Sequence, residues 1–402
     1  MSIAANSGAV ASIYSNSREK ARVQATNASV PWYVWMGVLA VTSSSIGGTW
    51  DIAWHRSIGR DTFWTPAHIA VYACGVLAGI VGLWLTLQST FGQDQKRRDS
   101  AVSLFGLRAP FGVFLAGWGG VAMLTSAPFD NWWHNAYGLD VKIISPPHTL
   151  LILGTRAVEI GIMFLILAEM NRSVKAGNKA FKSLQVLYLY MGGLLVSGQM
   201  LFLREFTGDT RLHQFLPYMA TGIAVPMILT AMSQSSRSRW AATWTSAVYM
   251  IFLIGEILVM PLFPAVPKLG PVYFPVTHLV PAKFPILLII PALALDLLWQ
   301  RTRNWKLWQV ALASGFVFIA VLVAVEWPFA NFLMSPASAN RFFGTMYFGY
   351  YSKATSLDRL RQFNPADRGV TLWFGWLRAS IYASISMWAG LAFGRWMRGV
   401  QR

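Results

Sequence analysis

Apolar runs of about twenty residues, the length that crosses a bilayer as a helix, follow one another along the chain with short polar and basic connections between them. Ten such runs are predicted as helices. They cover approximately residues 31–52, 66–87, 110–129, 146–169, 184–204, 212–233, 241–262, 281–299, 307–329 and 371–393. The first 31 residues are polar and rich in Ser, Ala and Asn, and read as a tail ahead of the first helix. A long polar segment, residues 331–370, separates the last two runs. The expected fold class is all-α: a polytopic membrane helix bundle.

Composition points the same way. Hydrophobic residues make up 55% of the chain and charged residues only 12%, which leaves no material for a sizeable water-soluble domain. The net charge of +17 comes from Lys and Arg spread over short loops, without a basic domain interleaved with aromatics, so a nucleic-acid partner is not expected. Alternate connections carry the cations: Lys96, Arg97, Arg98 and Arg108; Arg172, Lys175, Lys179 and Lys182; Arg237 and Arg239; Arg301, Arg303 and Lys306. By the positive-inside rule both termini are expected in the cytoplasm, the membrane being a bacterial inner membrane. The lone Cys74 excludes an internal disulfide framework and cysteine-based metal sites.

One polar pattern interrupts the apolar runs twice. Asp51, Trp54, His55, Gly59, Asp61, Pro66 and His68 recur in the same order as Asp130, Trp133, His134, Gly138, Asp140, Pro146 and His148, with one extra residue before the second Pro. The first four helices therefore read as two copies of a two-helix unit running in parallel, residues 32–169, with residues 170–402 as additional transmembrane helices. In each copy the Asp and first His are four apart and share a helical face, while the second His begins the next helix. One carboxylate and two imidazoles suit a borderline transition metal such as copper, iron or zinc, and leave coordination positions open. Four of the chain's six His fall in these two frames, which outweighs a reading of solvated side chains at helix ends. One metal or two fits the pattern equally.

The stretch DIAWHRSIGRDTFWTPAHI, Asp51 to Ile69, resembles the metal-site segment of the C subunit of particulate methane monooxygenase and ammonia monooxygenase. It shares an Asp, a Trp-His pair, an Arg-Asp-Thr and a Thr-Pro-x-His. The second copy, DNWWHNAYGLDVKIISPPH, is similar to the family's downstream segment, although Asp130 stands where the family has Asn. The resemblance covers roughly residues 33 to 169 and implies copper held by Asp51, His55 and His68 as the catalytic ligands. Asp130, His134 and His148 would form an adjacent site. It further implies a monooxygenase subunit that oxidises a small apolar substrate or ammonia with dioxygen, using an external electron donor and A- and B-type partner subunits. Lipid is the surrounding partner, and a homo-oligomer is compatible. Copper capture or transport, and a purely structural metal site, are the competing expectations.

Other polar residues inside apolar runs invite weaker readings. Arg156 and Glu159, three apart, are expected to pair on one helical face, as an internal ion pair or as a proton-handling group beneath the metal. Asp61 and Asp140 are expected either to orient a ligand His through its other ring nitrogen or to cap the next helix. Trp54 and Trp133 are expected to wall the sites. Glu256 and Glu326 are isolated acids, and Glu205, Asp209 and His213 form a further cluster.

Overall fold

The structure, a computed structural model, describes residues 29–59, 61–138, 144–176, 179–207, 212–268, 276–349 and 370–401. Among these, ten principal helices follow in order: α1 Trp32–Ser57, α2 Pro66–Phe91, α3 Phe111–Tyr137, α4 Pro146–Ala176, α5 Ala180–Thr207, α6 Phe215–Ser236, α7 Ala241–Val259, α8 Ile289–Arg301, α9 Leu307–Leu333 and α10 Leu372–Met397. A five-residue turn of helix, Gln95–Asp99, and a small hairpin, β1 Val102–Leu104 against β2 Leu107–Ala109, fill the α2–α3 connection. Phe105 and Gly106 both take positive φ (50° and 80°), the turn geometry that suits the twist of a two-residue hairpin.

Seven helices, α2 to α7 and α9, are long and apolar enough to cross a membrane, and the chain is an integral membrane protein. Helices α1 and α10 have 26 residues each but carry more polar side chains. In α1 several of these are satisfied within the helix, Thr42 Oγ1 donating to the Val38 carbonyl and Ser45 Oγ to that of Val41, while Ser43 Oγ donates to the Ala70 carbonyl of α2. In α10, Ser386 mends a neighbour. Pro226 interrupts the hydrogen-bond ladder of α6, and Ser386 Oγ donates to the Ile223 carbonyl while accepting from the Met227 N–H.

The eighth run differs from its expected full span. Helix α8 has only 13 residues, about 20 Å at 1.5 Å per residue, and the chain before it runs into the bundle without regular helix. Pro281 and Pro285 explain this, each lacking an N–H and disfavouring helix in the preceding residue. Backbone donors stranded by the irregular stretch are capped from other helices: Ile286 N–H by the Tyr249 hydroxyl at 3.1 Å, and Leu287 N–H by the Glu326 carboxylate.

Helices α1 and α2 pack as a pair, as do α3 and α4, and α2 lies against α3. One apolar core centres on α1 to α5 and takes in residues of α6, α7 and α10, and a second runs through α5 to α10. The start of α1 and the end of α10 meet at one end of the bundle. There Tyr33 donates to Glu169 at 2.6 Å, Glu169 pairs with Arg172 at 2.9 Å, and Asn171 donates to the carbonyls of Met397 and Val400. The C-terminal ends of α1 and α3, with the repeated Asp and His, lie at the other.

Candidate metal centre

Each Asp-His pair sits in the last two turns of its helix, and the repeated Gly ends that helix for a backbone reason. Gly59 has φ of 94° and Gly138 of 87°, conformations that a side chain resists, so the chain breaks from helical winding immediately after the ligands. The following helices begin with Pro66 and Pro146, whose missing N–H costs nothing in a first turn. Ser145 then accepts a hydrogen bond from the His148 N–H at 3.3 Å, fixing the turn that presents that imidazole.

At the first centre four groups converge. His68 Nε2 lies 3.1 Å from Asp51 Oδ1 and 3.0 Å from Asp61 Oδ2, and His55 Nε2 lies 3.7 Å from Asp51 Oδ2 and 3.5 Å from Asp61 Oδ2. Asp51, His55 and Asp61 offer donor atoms that all fall within 4.8 Å of one another. Asp61 thus approaches the same Nε2 atoms as Asp51, where the sequence reading offered an orienting partner for the other ring nitrogen or a helix cap. His68 Nδ1 is buried without a hydrogen bond.

Charge governs this cluster. Burial alone would raise the Asp61 carboxyl, but hydrogen bonds from His55 and His68, reinforced by their charge, hold it well below the usual carboxylate range. Burial would lower His55, which sits beyond the apolar stretch of α1, yet the Asp61 hydrogen bond and the negative charge of Asp51 and Asp61 raise it above its ordinary 6.5. Once the imidazoles give up the protons that the carboxylates favour, two negative charges and two nitrogen donors remain, a set that fits a divalent transition metal.

The second centre is built around Asp130. His134 Nε2 lies 3.3 Å from Asp130 Oδ2 and His148 Nε2 3.5 Å from Asp130 Oδ1. His134 Nδ1 lies 3.3 Å from the Gly138 carbonyl, so a proton on Nδ1 donates to that oxygen and Nε2 is turned toward Asp130. Asp140 lies outside the described residues. Pro128, inside α3 two residues before Asp130, removes one rung of the ladder just where the ligands begin.

The flanking residues divide. Trp54 packs with Trp50 against Ile58, Met260, Ala265 and Leu279, a satellite cluster with α1's end on one side and the chain after α7 on the other. Trp133 lies against Tyr137 at 4.5 Å between ring centres and edge-on to Phe129. Arg156 and Glu159 do pair, at 2.6 Å, with Glu159 fully enclosed and the guanidinium seated over Gly198 of α5, where a side chain would collide with it. Glu256 lies against Thr49 of α1, and Glu326 caps the stretch before α8. His213 faces Asn331 at 3.0 Å and the Trp327 ring, while Asp209 and the Glu205 side chain fall outside the description.

One residue of this end, Tyr72, escaped the sequence reading, and Asp61 was read there only as an orienting or capping acid. Asp61 was visible as a repeated acid, but its role depends on how the loop folds back. Tyr72, four residues after His68 on α2, has its ring 6.0 Å from the His68 ring and 5.3 Å from Phe63. The four-residue step was the available signal. No protein-family model, curated protein or solved structure matches this chain.

Proposed function

We propose that this protein is a membrane-embedded metal-binding subunit of the copper monooxygenase type, oxidising a small apolar substrate or ammonia with dioxygen. The gathering of Asp51, His55 and Asp61, whose donor atoms lie within 4.8 Å of one another, with His68 Nε2 within 3.1 Å of both carboxylates, carries the reading. The fourfold set recurs in part at Asp130, His134 and His148, and the sequence of both stretches resembles the C subunit of that family. Bound copper supplies dioxygen chemistry that side chains lack. The chain's own residues hold and shield it. Asp51 and Asp61 balance the cation's charge, the two Nε2 atoms supply nitrogen donors, and Phe63 and Tyr72 give the site an aromatic wall.

The same reading assigns about ten spanning helices, the seven strongly apolar ones together with α1, α10 and the half-length α8, with the first four as a parallel repeat. Cation-rich connections between α2 and α3, α6 and α7, and α8 and α9 gather at the end opposite the two centres, which by the positive-inside rule is the cytoplasmic one. Both centres then face outward across a bacterial inner membrane. A small apolar substrate reaches them through lipid, and A- and B-type subunits with an electron donor complete the machine. A transport relay finds less support, because Glu159 is engaged by Arg156 and Glu326 by the Leu287 N–H.

The test is elemental analysis and electron paramagnetic resonance of protein purified in native-like lipid. Wild type should carry copper with nitrogen-ligated Cu(II) signals. His55→Ala/His68→Ala should remove one component and His134→Ala/His148→Ala the other. A wild type that takes up no transition metal when copper or iron is supplied overturns the proposal.

A further inference from the structure

Helices α6 and α10 run parallel in backbone contact and bring their C-terminal ends together, at the end of the bundle opposite the two Asp/His clusters. Ser386 bonds to the Ile223 carbonyl, and further along a Cβ on Gly390 would stand 2.5 Å from the Met227 carbonyl oxygen. One on Gly394 would stand 2.9 Å from the Ala231 Cα and 2.6 Å from the Gln234 Cβ, so the last turns of the two helices lie side by side. Arginines gather at that junction. Arg237 ends α6 in a left-handed conformation, with φ of 61°. Arg395 follows Gly394 directly, and Arg398 follows the last residue of α10. Arg398 Nε donates to the Gln234 carbonyl, which ties the end of α10 to the last turn of α6 beside Arg237.

The protein does not neutralise this charge. Arg237, Arg395 and Arg398 are exposed, and among the described residues no carboxylate pairs with them. Acids of this end are engaged elsewhere: Glu169 by Tyr33 and Arg172, and Asp296 by the N–H groups of Ala242 and Thr243 and the Thr243 hydroxyl. Partial burial, and then the charges of Arg237 and Arg395, lower Arg398 from its ordinary value. Apolar surface leads to the same place. Ile381, Ile385, Trp388 and Ala392 precede Arg395 at helical spacing on one face of α10, and all are exposed. On a spanning helix that face lies against acyl chains.

We propose that the α6–α10 junction binds an anionic phospholipid, its phosphate held by Arg237, Arg395 and Arg398 and an acyl chain lying along the Ile385 and Trp388 face. A planar guanidinium matches two phosphate oxygens at once, and the Arg398 Nη nitrogens make no hydrogen bond to a described residue. Basic recesses between spanning helices draw such headgroups on the cation-rich side of a membrane. A soluble anion would use the arginines but not the apolar face that ends in Arg395. The site is independent of the metal reading.

The experiment strips lipid from the full-length protein in detergent, titrates it with phosphatidylglycerol or phosphatidylcholine, and counts retained lipid by native mass spectrometry. Wild type should retain phosphatidylglycerol in preference to phosphatidylcholine. Arg237→Gln/Arg395→Gln, which leaves the Arg398 bond to Gln234 in place, should weaken phosphatidylglycerol binding about thirtyfold, the loss expected for two basic residues at a lipid headgroup. Arg301→Gln/Arg303→Gln removes the same charge from another connection at this end and should leave the affinity as in wild type. Wild type without a preference overturns the proposal and needs no variant to do so. Equal affinity in wild type and Arg237→Gln/Arg395→Gln overturns it, and so do equal losses in the two double variants, which would make the effect one of overall charge. Displacement of the lipid by inorganic phosphate alone overturns it by making the junction a site for soluble anions.

Discussion

The same seven-residue frame is held in two different ways at the two centres. At the first, the His rings are bound by carboxylates on both sides, Asp51 from α1 and Asp61 from the connecting loop. At the second, Asp130 reaches both rings, and His134 is steadied from behind by the Gly138 carbonyl. Among the described residues, carboxylates reach the first pair of rings from two sides and a helix-end carbonyl stands behind one ring of the second pair; Asp140, the counterpart of Asp61, lies outside them. Their helices differ accordingly: α1 runs without an internal proline to its ligands, whereas Pro128 loosens α3 just before Asp130. Equal motifs therefore predict equal donor types, while the loop path and the helix end, which the motif does not specify, decide what else reaches each ring.

Charge removal should separate the centres most strongly. Asp51→Asn is expected to weaken copper binding at the first centre more than about a hundredfold, and Asp61→Asn by a similar factor, with the second centre's occupancy unchanged. Competition titration with a chelator, read by elemental analysis, checks this. An Asp61→Asn effect confined to a few-fold would return Asp61 to an orienting role and erase the contrast.

Acidity gives the next largest effect. A raised His55 is protonated over a wider range in the metal-free protein, and metal must displace that proton. Affinity at the first centre should therefore rise with pH through and above the ordinary imidazole value of 6.5, falling away as the solution is acidified. Asp61, held well below the usual carboxylate range, stays ionised throughout that window, so the slope belongs to imidazole. Titrations at about pH 6, 7 and 8 measure it. In Asp61→Asn the slope should shift to lower pH, because His55 loses the partner that raises it.

The smallest effect concerns the helix ends. Gly59→Ala and Gly138→Ala should each cost about 1 kcal/mol of stability, since both glycines hold positive φ. Thermal unfolding in lipid compares them. Only Gly138→Ala should also change copper affinity, by a few-fold at the second centre, because its carbonyl orients His134.

Much of the helical order was readable in advance because a spanning helix must be apolar for a fixed length, and that is a one-dimensional property. It misjudged the eighth run, where Pro281 and Pro285 leave a helix of 13 residues and buried donors that only Tyr249 and Glu326, on distant helices, can satisfy. The Arg156 and Glu159 pairing was also legible, since three residues apart on a helix is a local relation. Trp54 was not. Its place beside His55 suggested a wall for the site, but adjacent residues on a helix face different ways, and it packs toward the chain after α7.

By itself, the sequence determined an all-helical membrane chain and two Asp/His/His frames, because hydropathy and helical periodicity act over neighbouring residues. It also determined where each frame's helix ends, since glycine is the residue that accepts positive φ there. Tertiary structure alone decided that Asp61 folds back to the imidazoles that Asp51 also reaches and that α2 and α3 cross closely enough for Gly75 to meet the Gly120 carbonyl. Those outcomes depend on loop path and helix crossing, which are set by close contact between segments distant in the chain.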